Sequence, residues 1–198
     1  MEITAALVKQ LRDKTGVGMM DCKNALTEAE GDIEKAVDIL RTKGRAKAEK
    51  RAGKIASDGV VEAYIHPGSK LGVMLELNCE TDFVAKTDDF KSLARDLAMQ
   101  IAASNPRVIR REDLDQETID HELEIYRNQA LNENKPEKII DKIAQGKLEK
   151  YFKEICLLEQ AFIKDPNQTV QDIIADFKAK IGENIQVSRF ARFRLGEE

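Results

Sequence analysis

A change in the spacing of apolar residues near residue 58 is the feature that most constrains the fold of this 198-residue chain. Before that point apolar residues recur every three or four positions, which is typical of amphipathic helices. From Gly59 they alternate in two runs separated by Pro67-Gly68-Ser69-Lys70, which predicts a β-hairpin. We expect one apolar face of this hairpin to carry Val61, Ala63, Ile65, Val73, Leu75, Leu77 and Cys79.

A third alternating run, Ile185–Leu195, closes the chain and predicts one more strand. Helix-period segments fill the space between, and we predict them at Asp88–Ser104, near Gln116–Asn134, from Pro136, at Lys147–Gln160 and from Thr169. The fold class is therefore α+β, with a small three-stranded antiparallel sheet covered by helices on one face. The other face, with Tyr64, Met74 and Phe190 among charged residues, is expected to be uncovered.

The first forty residues predict a compact unit of three helices, separated at Gly16-Val17-Gly18 and at Gly31. Such a unit has a thin core and suits a binding module better than an enzyme. Met19 and Met20 follow the first break, and because neighbouring residues face different directions we expect one or both to be exposed. We divide the chain into residues 1–42 (three helices), 43–57 (a basic linker or helix) and 58–198 (the α+β core).

Charge and cysteine content exclude several classes of protein. The net charge is −4, yet seven cations and one anion lie between Arg41 and Lys54. Such a run is usually a solvated helix, and without interleaved aromatic residues it offers no platform for base stacking. Three dispersed cysteines, two histidines and no CxxC pair predict reduced thiols and no metal site. Because no signal-peptide core or membrane-length apolar run is present, we expect a cytoplasmic protein with no membrane partner.

The segment from Asn78 to Ala85 is the candidate functional site. An alternating strand runs into Glu80 and Asp82 and then presents Phe83 before the next helix. Aromatic residues make up 5% of the chain and tryptophan is absent, so a phenylalanine at this corner needs an explanation. Local sequence leaves two interpretations open: Phe83 is an anchor in the core, or it is a wedge aimed at a partner.

Motifs for catalysis are missing from the sequence. Gly16-Val17-Gly18 has no preceding strand and no third glycine, and no GxSxG, HExxH or GxxxxGK[ST] motif is present. Cys79 and His66 could in principle form a nucleophile–base pair, but Cys79 shares the apolar face with Leu77, so we interpret it as buried. The sequence predicts a protein that binds without catalysing covalent chemistry, and no cofactor is implied.

Four blocks of sequence resemble the elongation factor Ts family, in order and over essentially the whole chain. The blocks are Gly16–Lys23 with Ala25-Leu26, Asn78–Ala85, Glu154–Gln160 with Phe162 and Lys164-Asp165, and Gly182–Ile185 with Arg189-Phe190. Members of this family are guanine-nucleotide exchange factors for elongation factor Tu, the GTPase that carries aminoacyl-tRNA to the ribosome.

The resemblance implies a specific set of functional residues. The N-terminal helices would form a ubiquitin-associated-like domain that docks on the GTPase domain of elongation factor Tu through Arg12, Met19 and Met20. Thr81, Asp82, Phe83 and Val84 match the segment that dislocates Mg²⁺, with Phe83 as the intruding side chain. The factor would bind the GDP-bound and nucleotide-free forms and be displaced by GTP.

This chain resembles the short form of the family, because it has material for one sheet-and-helix core. We therefore expect the uncovered sheet face to pack on a second copy, giving a homodimer. The alternatives are an adaptor with an unrelated α+β module, an RNA-binding protein that uses the Arg41–Lys54 run, and a hydrolase. No nucleic-acid partner is expected.

Overall fold

The structure, a computed structural model, describes residues 3–51 and 53–197, except for the side chains of residues 45 and 47–51. The helices are α1 Ala5–Thr15, α2 Met19–Glu28, α3 Ile33–Arg51, α4 Asp82–Ala85, α5 Asp88–Ser104, α6 Gln116–Asn132, α7 Glu137–Ile155 and α8 Val170–Ile181. The strands are β1 Asp58–Ile65, β2 Leu71–Cys79, β3 Ala161–Phe162, β4 Asp165–Thr169 and β5 Gln186–Arg194. Helices and a small antiparallel sheet confirm the predicted α+β class.

Helices α1, α2 and α3 pack around their own apolar cluster. Thr4 begins α1 by accepting a hydrogen bond from Leu7 N at 3.3 Å, and Gly16 ends it in the left-handed region at φ 68°. The cluster consists of Val8, Leu11, Cys22, Ala25, Leu26, Ala29, Ala36 and Leu40. Helix α3 continues to Arg51, so residues 43–51 are helical. Four of the seven cations in the predicted basic surface (Arg45, Lys47, Lys50 and Arg51) have side chains outside the described residues.

The three-stranded sheet has the order β1-β2-β5. His66 N donates to Leu71 O at 2.9 Å across the hairpin turn, which places residue 66 opposite residue 71. Leu195 N donates to Lys70 O at 2.9 Å, and the Ser188 hydroxyl bonds to the Asn78 side chain at the other end of β2. Because the end of β5 lies beside the start of β2, and the start of β5 beside the end of β2, the two strands are antiparallel.

The predicted division of side chains between the two sheet faces is right for β2, where Val73, Leu75, Leu77 and Cys79 are buried, and wrong for β1 and for the end of β5. The 66–71 pairing places Tyr64 opposite Val73, so Tyr64 shares the buried face of β2 and is half-buried. On β5, Arg192 donates to Ala102 O of α5 at 3.3 Å, which leaves Phe193 on the opposite face. Phe190, two residues from Arg192, is also half-buried and not on the uncovered face.

The uncovered face therefore holds residues of β1 and β5 that were expected to be inside, Val61 among them at 62% exposure. We call it the open sheet face, and its exposed apolar residues are Ala63, Ile65, Met74, Ala191 and Phe193, continued by Leu195. A Cβ added at Gly72 would lie 2.9 Å from Ile65 Cδ1, which places Ile65 on the same face as Met74. Only Met74 was correctly assigned to this face.

Two features of the helical part differ from the predictions. Helix α7 runs unbroken through Gly146, where two separate helices were predicted. The antiparallel pair β3–β4 was not predicted, because β3 has two residues and no alternation. Buried Gln100 holds it by donating to Ala161 O at 3.2 Å and accepting from Ile163 N at 2.8 Å.

The described chain divides into two compact units. The first contains the chain up to Glu62 together with Glu76–Ala94 and Asp172–Ser188; the second contains Ala63–Leu75, Arg95–Gln171 and the chain from Arg189. In the second unit α6 and α7 pack together, and their apolar cluster centres on Leu148 and Phe152. Within the described residues no helix is long and apolar enough to cross a membrane.

Candidate partner-binding site

The strand-to-helix corner at residues 80–85 is built on buried residues at both ends. Strand β2 ends at Cys79, whose side chain is fully buried, and the four-residue helix α4 ends at buried Ala85. Thr81 between them is extended, with φ −132° and ψ 152°. The Thr87 hydroxyl then accepts from Phe90 N at 3.3 Å, and α5 begins. The corner is thus a short projection fixed at each side by the core.

Phe83 is the most exposed residue of this corner. Its relative exposure is 79%, while Val84 is half-buried and Ala85 is buried. A phenylalanine that contributed to the core would have little exposed surface, as Phe90 has at 0%. The core-anchor interpretation of Phe83 is therefore excluded, and its interpretation as a contact for a partner stays a prediction.

Asp82 and Lys86 form an ion pair beside Phe83. Lys86 Nζ lies 2.5 Å from Asp82 Oδ2, one helical turn along the chain. The hydrogen bond from Lys86 lowers the pKa of Asp82, and the same bond raises the pKa of Lys86. Both side chains are largely exposed, so the pair contributes little to stability. It does orient the Asp82 carboxylate toward Lys86, next to Phe83.

Glu183 is a residue of this site that the sequence did not identify as functional. It follows α8 and its carboxylate accepts hydrogen bonds from Glu80 N, Thr81 N and the Thr81 hydroxyl. Its partners lie more than one hundred positions earlier in the chain, so no local pattern could reveal the contact. The sequence did place Glu183 in a block that resembles the family, without giving it a role.

The second group of predicted residues lies on the N-terminal helices. Arg12 is exposed in the last turn of α1, and Met19 and Met20 form the start of α2 with exposures of 44% and 67%. Both methionines are exposed because the inward positions of α2 are taken by Cys22, Ala25 and Leu26. The expectation that one or both are exposed is confirmed, and flexible thioether side chains suit a contact surface.

The end of α8 contacts two segments: the turn before Met19 and the start of α5, which follows the Phe83 corner. A Cβ added at Gly16 would clash with Lys180 Cε, so the Lys180 stem crosses the turn that leads to Met19. Lys180 Nζ also pairs with Asp89 Oδ2 at 2.7 Å, in the first turn of α5. A cleft of about 640 Å³ lies beside this contact, lined by Val17, Gly18, Lys43, Gly44 and Lys178–Gly182 among others.

Cys79 and His66 do not form a nucleophile–base pair, and the prediction that Cys79 is buried is confirmed. Cys79 is buried, its Sγ lies 3.1 Å from Thr81 O as a donor, and burial raises the pKa of the thiol. His66 lies at the turn end of the hairpin and bonds to the Tyr64 hydroxyl at 3.0 Å, at the other end of β2 from Cys79. No group of three or more histidine, cysteine, aspartate or glutamate side chains among the described residues could hold a metal ion.

Comparison with known proteins agrees with the resemblance over the whole chain. A sequence model of the family described as elongation factor TS matches residues 3–197. The elongation factor Ts of Carboxydothermus hydrogenoformans is 63% identical over 195 residues, covering 98% of this chain and 90% of that protein. Those of Heliobacterium modesticaldum and Caldanaerobacter subterraneus are 62% and 58% identical, each over 98% of this chain, and 91% and 98% of the relatives are covered. This chain belongs to the elongation factor Ts family.

Proposed function

We propose that this protein accelerates GDP release from elongation factor Tu by inserting Phe83 next to the Mg²⁺ site of that GTPase. Membership of the family implies nucleotide exchange on elongation factor Tu in translation. The observation that carries the finer proposal is the 79% exposure of Phe83 on a corner whose two ends are buried. Thr81, Asp82 and Val84 complete the inserted segment.

Exchange needs no covalent step. A GTPase of this kind holds GDP through backbone amides, a lysine and a Mg²⁺ ion bound to hydroxyl and phosphate oxygens. A factor that prefers the nucleotide-free form weakens GDP binding by the same free energy by which GDP weakens binding of the factor. When a side chain is forced into the packed core of the GTPase, that core shifts to another discrete arrangement, and the shift displaces the bound Mg²⁺. GTP then displaces the factor by mass action, so the protein acts as an exchange factor and not as an enzyme.

The N-terminal helices supply a second contact in this proposal. Residues 1–42 form a ubiquitin-associated-like domain that docks on the GTPase domain through Arg12, Met19 and Met20, residues 43–57 connect it, and residues 58–198 form the core. Exposure of both methionines at the start of α2 supports this role. Two separated contacts let the docking of one raise the effective concentration of the other. The proposed location is the cytoplasm, where translation takes place.

The open sheet face is the proposed homodimer interface. Its large side chains are well exposed: Ile65 at 62%, Met74 at 53%, Phe193 at 69% and Leu195 at 77%. Contiguous apolar surface of this kind is rare on a monomer. The proposed occupant is a second copy, because sheets pack face to face and a two-fold axis places the same apolar residues on both sides of the interface.

Release of fluorescent GDP from purified elongation factor Tu tests the proposed function. Substoichiometric protein should accelerate release and turn over many GTPase molecules when excess unlabelled nucleotide is present. Met19→Ala/Met20→Ala should raise the concentration of factor needed for half-maximal rate while leaving the maximal rate nearly unchanged. A release rate equal to that of the GTPase alone, at every concentration of the protein, would refute the proposal.

A further inference from the structure

We infer that Glu183 is a positioning residue that fixes the direction in which Phe83 projects. Glu183 Oε2 accepts from Glu80 N and from Thr81 N, both at 3.1 Å, and Glu183 Oε1 accepts from the Thr81 hydroxyl at 2.7 Å. Three hydrogen bonds from two successive residues hold the main chain where β2 leads into α4. Phe83 follows Thr81 by two positions, so its direction depends on this anchor.

A reciprocal bond strengthens the contact. Glu80 Oε1 accepts from Asn184 N at 2.6 Å, and Asn184 Nδ2 donates to Lys54 O at 2.8 Å. Asn184 is 1% exposed, and Glu80 also pairs with Lys54 at 3.6 Å. We call Glu80, Thr81, Glu183 and Asn184 the clasp. Hydrogen bonds to ionised carboxylates are roughly twice as strong as neutral ones, so the clasp is a firm connection.

The corner needs an external anchor because α4 is too short to be stable alone. It has four residues, far below the roughly 12 that an isolated helix needs in water. Thr81 stands at the position before the helix, but its side chain does not cap it. The Thr81 hydroxyl donates to Glu183 instead, so it connects the corner to the turn after α8 and does not cap α4.

Substitutions of Glu183 can separate geometry from charge. In Glu183→Gln the amide oxygen still accepts from both N–H groups, and the amide nitrogen can donate to the Thr81 hydroxyl, so all three bonds survive without the charge. Glu183→Asp keeps the charge but is one methylene shorter and cannot reach both sides. Glu183→Ala loses both the charge and all three hydrogen bonds. Positioning therefore predicts the order wild type, Gln, Asp, Ala, whereas a purely electrostatic role would place Asp above Gln.

The test rests on the proposed function and measures GDP release over a range of factor concentrations. Because misplacing a group by about 1 Å can cost up to about 100-fold, Glu183→Ala should lower the maximal rate about threefold to tenfold. Its half-saturating concentration should change less than about twofold. A mere loss of folded protein would give the opposite result: a higher half-saturating concentration and an unchanged maximal rate. Asp141→Ala, which removes an exposed carboxylate paired with Arg127, is the matched control.

A double variant asks whether Glu183 acts through Phe83. Residues that act as one unit are non-additive, so Glu183→Ala in a Phe83→Ala background should cost nothing further. Hydrogen exchange at the amides of residues 80–85 tests the clasp in the protein alone: Glu183→Ala should exchange faster there and Glu183→Gln should not.

The outcomes are distinguishable. If wild type and Phe83→Ala differ as proposed but Glu183→Ala reaches the wild-type maximal rate, or if the two losses add, the positioning role is refuted and the exchange function stands. If wild type does not accelerate release, the proposed function fails and the role of the clasp in exchange fails with it.

Discussion

Phe83 and Phe193 are both highly exposed, at 79% and 69%, but their surroundings differ. Phe83 stands on a four-residue helix beside half-buried Val84 and the charged pair Asp82–Lys86. Phe193 lies on strand β5, on the same face as exposed Met74 and Ile65. An isolated aromatic side chain on a projection suits a cavity, and one within a wide apolar face suits another flat surface. Exposure alone therefore does not distinguish the two phenylalanines; the polarity and secondary structure of their surroundings do.

The first prediction concerns Phe83, where we expect the largest effect. Phe83→Ala should lower the maximal rate of GDP release about 30-fold, as for an interface hot spot of about 2 kcal/mol. Its free energy of unfolding should change by less than about 0.5 kcal/mol, because the side chain is exposed. The matched control is Phe193→Ala, measured in the same release assay. If the maximal rate of GDP release falls by the same factor in both variants, the proposed difference in function between the two phenylalanines is wrong.

Dimerisation should depend on Phe193 and not on Phe83. Phe193→Asp places a charge on the open sheet face, and burying it unpaired should weaken self-association at least about tenfold. Sedimentation velocity at micromolar concentration measures the shift from dimer to monomer. Leu131→Asp adds the same charge at an apolar residue that is 49% exposed on α6, and should stay dimeric. A wild type that is strictly monomeric would contradict this half of the comparison.

A third variant checks that the loss of GDP release or of dimerisation in the phenylalanine variants is not caused by lower stability of the fold. Arg111 donates to Glu149 at 2.7 and 3.0 Å and to Glu159 at 2.6 Å, and its guanidinium lies 4.3 Å from the centre of the Phe152 ring. The side chain is partly exposed, so Arg111→Met should lower the free energy of unfolding by only about 1–2 kcal/mol. Urea denaturation measures this change. At temperatures where the variant is folded, its GDP release and its dimerisation should equal those of wild type.

The smallest expected effect concerns the charged pair beside Phe83. Because Lys86 lowers the pKa of Asp82 below its ordinary value of 3.8, Lys86→Met should raise the titration midpoint of Asp82. Carboxyl-carbon NMR from pH 2 to 6 measures it. The sign for stability follows: the contribution of Asp82 is present above its ordinary pKa and disappears as pH falls through the lowered value. An unchanged midpoint in Lys86→Met would show that the pair does not form in solution.

The sequence predicted the strands and the corner well, because alternation and turn residues are local signals. It assigned the faces of β2 correctly and failed on β1, since both phases of β1 contain apolar residues and the His66–Leu71 pairing decides which phase is buried. It missed β3–β4 because Gln100, a buried polar side chain of α5, holds that pair from outside. Glu183 was missed for the same reason: its contacts with Thr81 are tertiary, and no spacing along the chain encodes them.

The most direct test of the Mg²⁺ mechanism compares wild type with Phe83→Ala with the metal present and removed. Labelled GDP dissociation from elongation factor Tu is measured at saturating factor, first in millimolar Mg²⁺ and then in EDTA. If Phe83 acts by dislocating the ion, the difference of about 30-fold expected with Mg²⁺ should fall to less than about twofold in EDTA. A difference that persists undiminished without the metal would show that Phe83 accelerates release by another route.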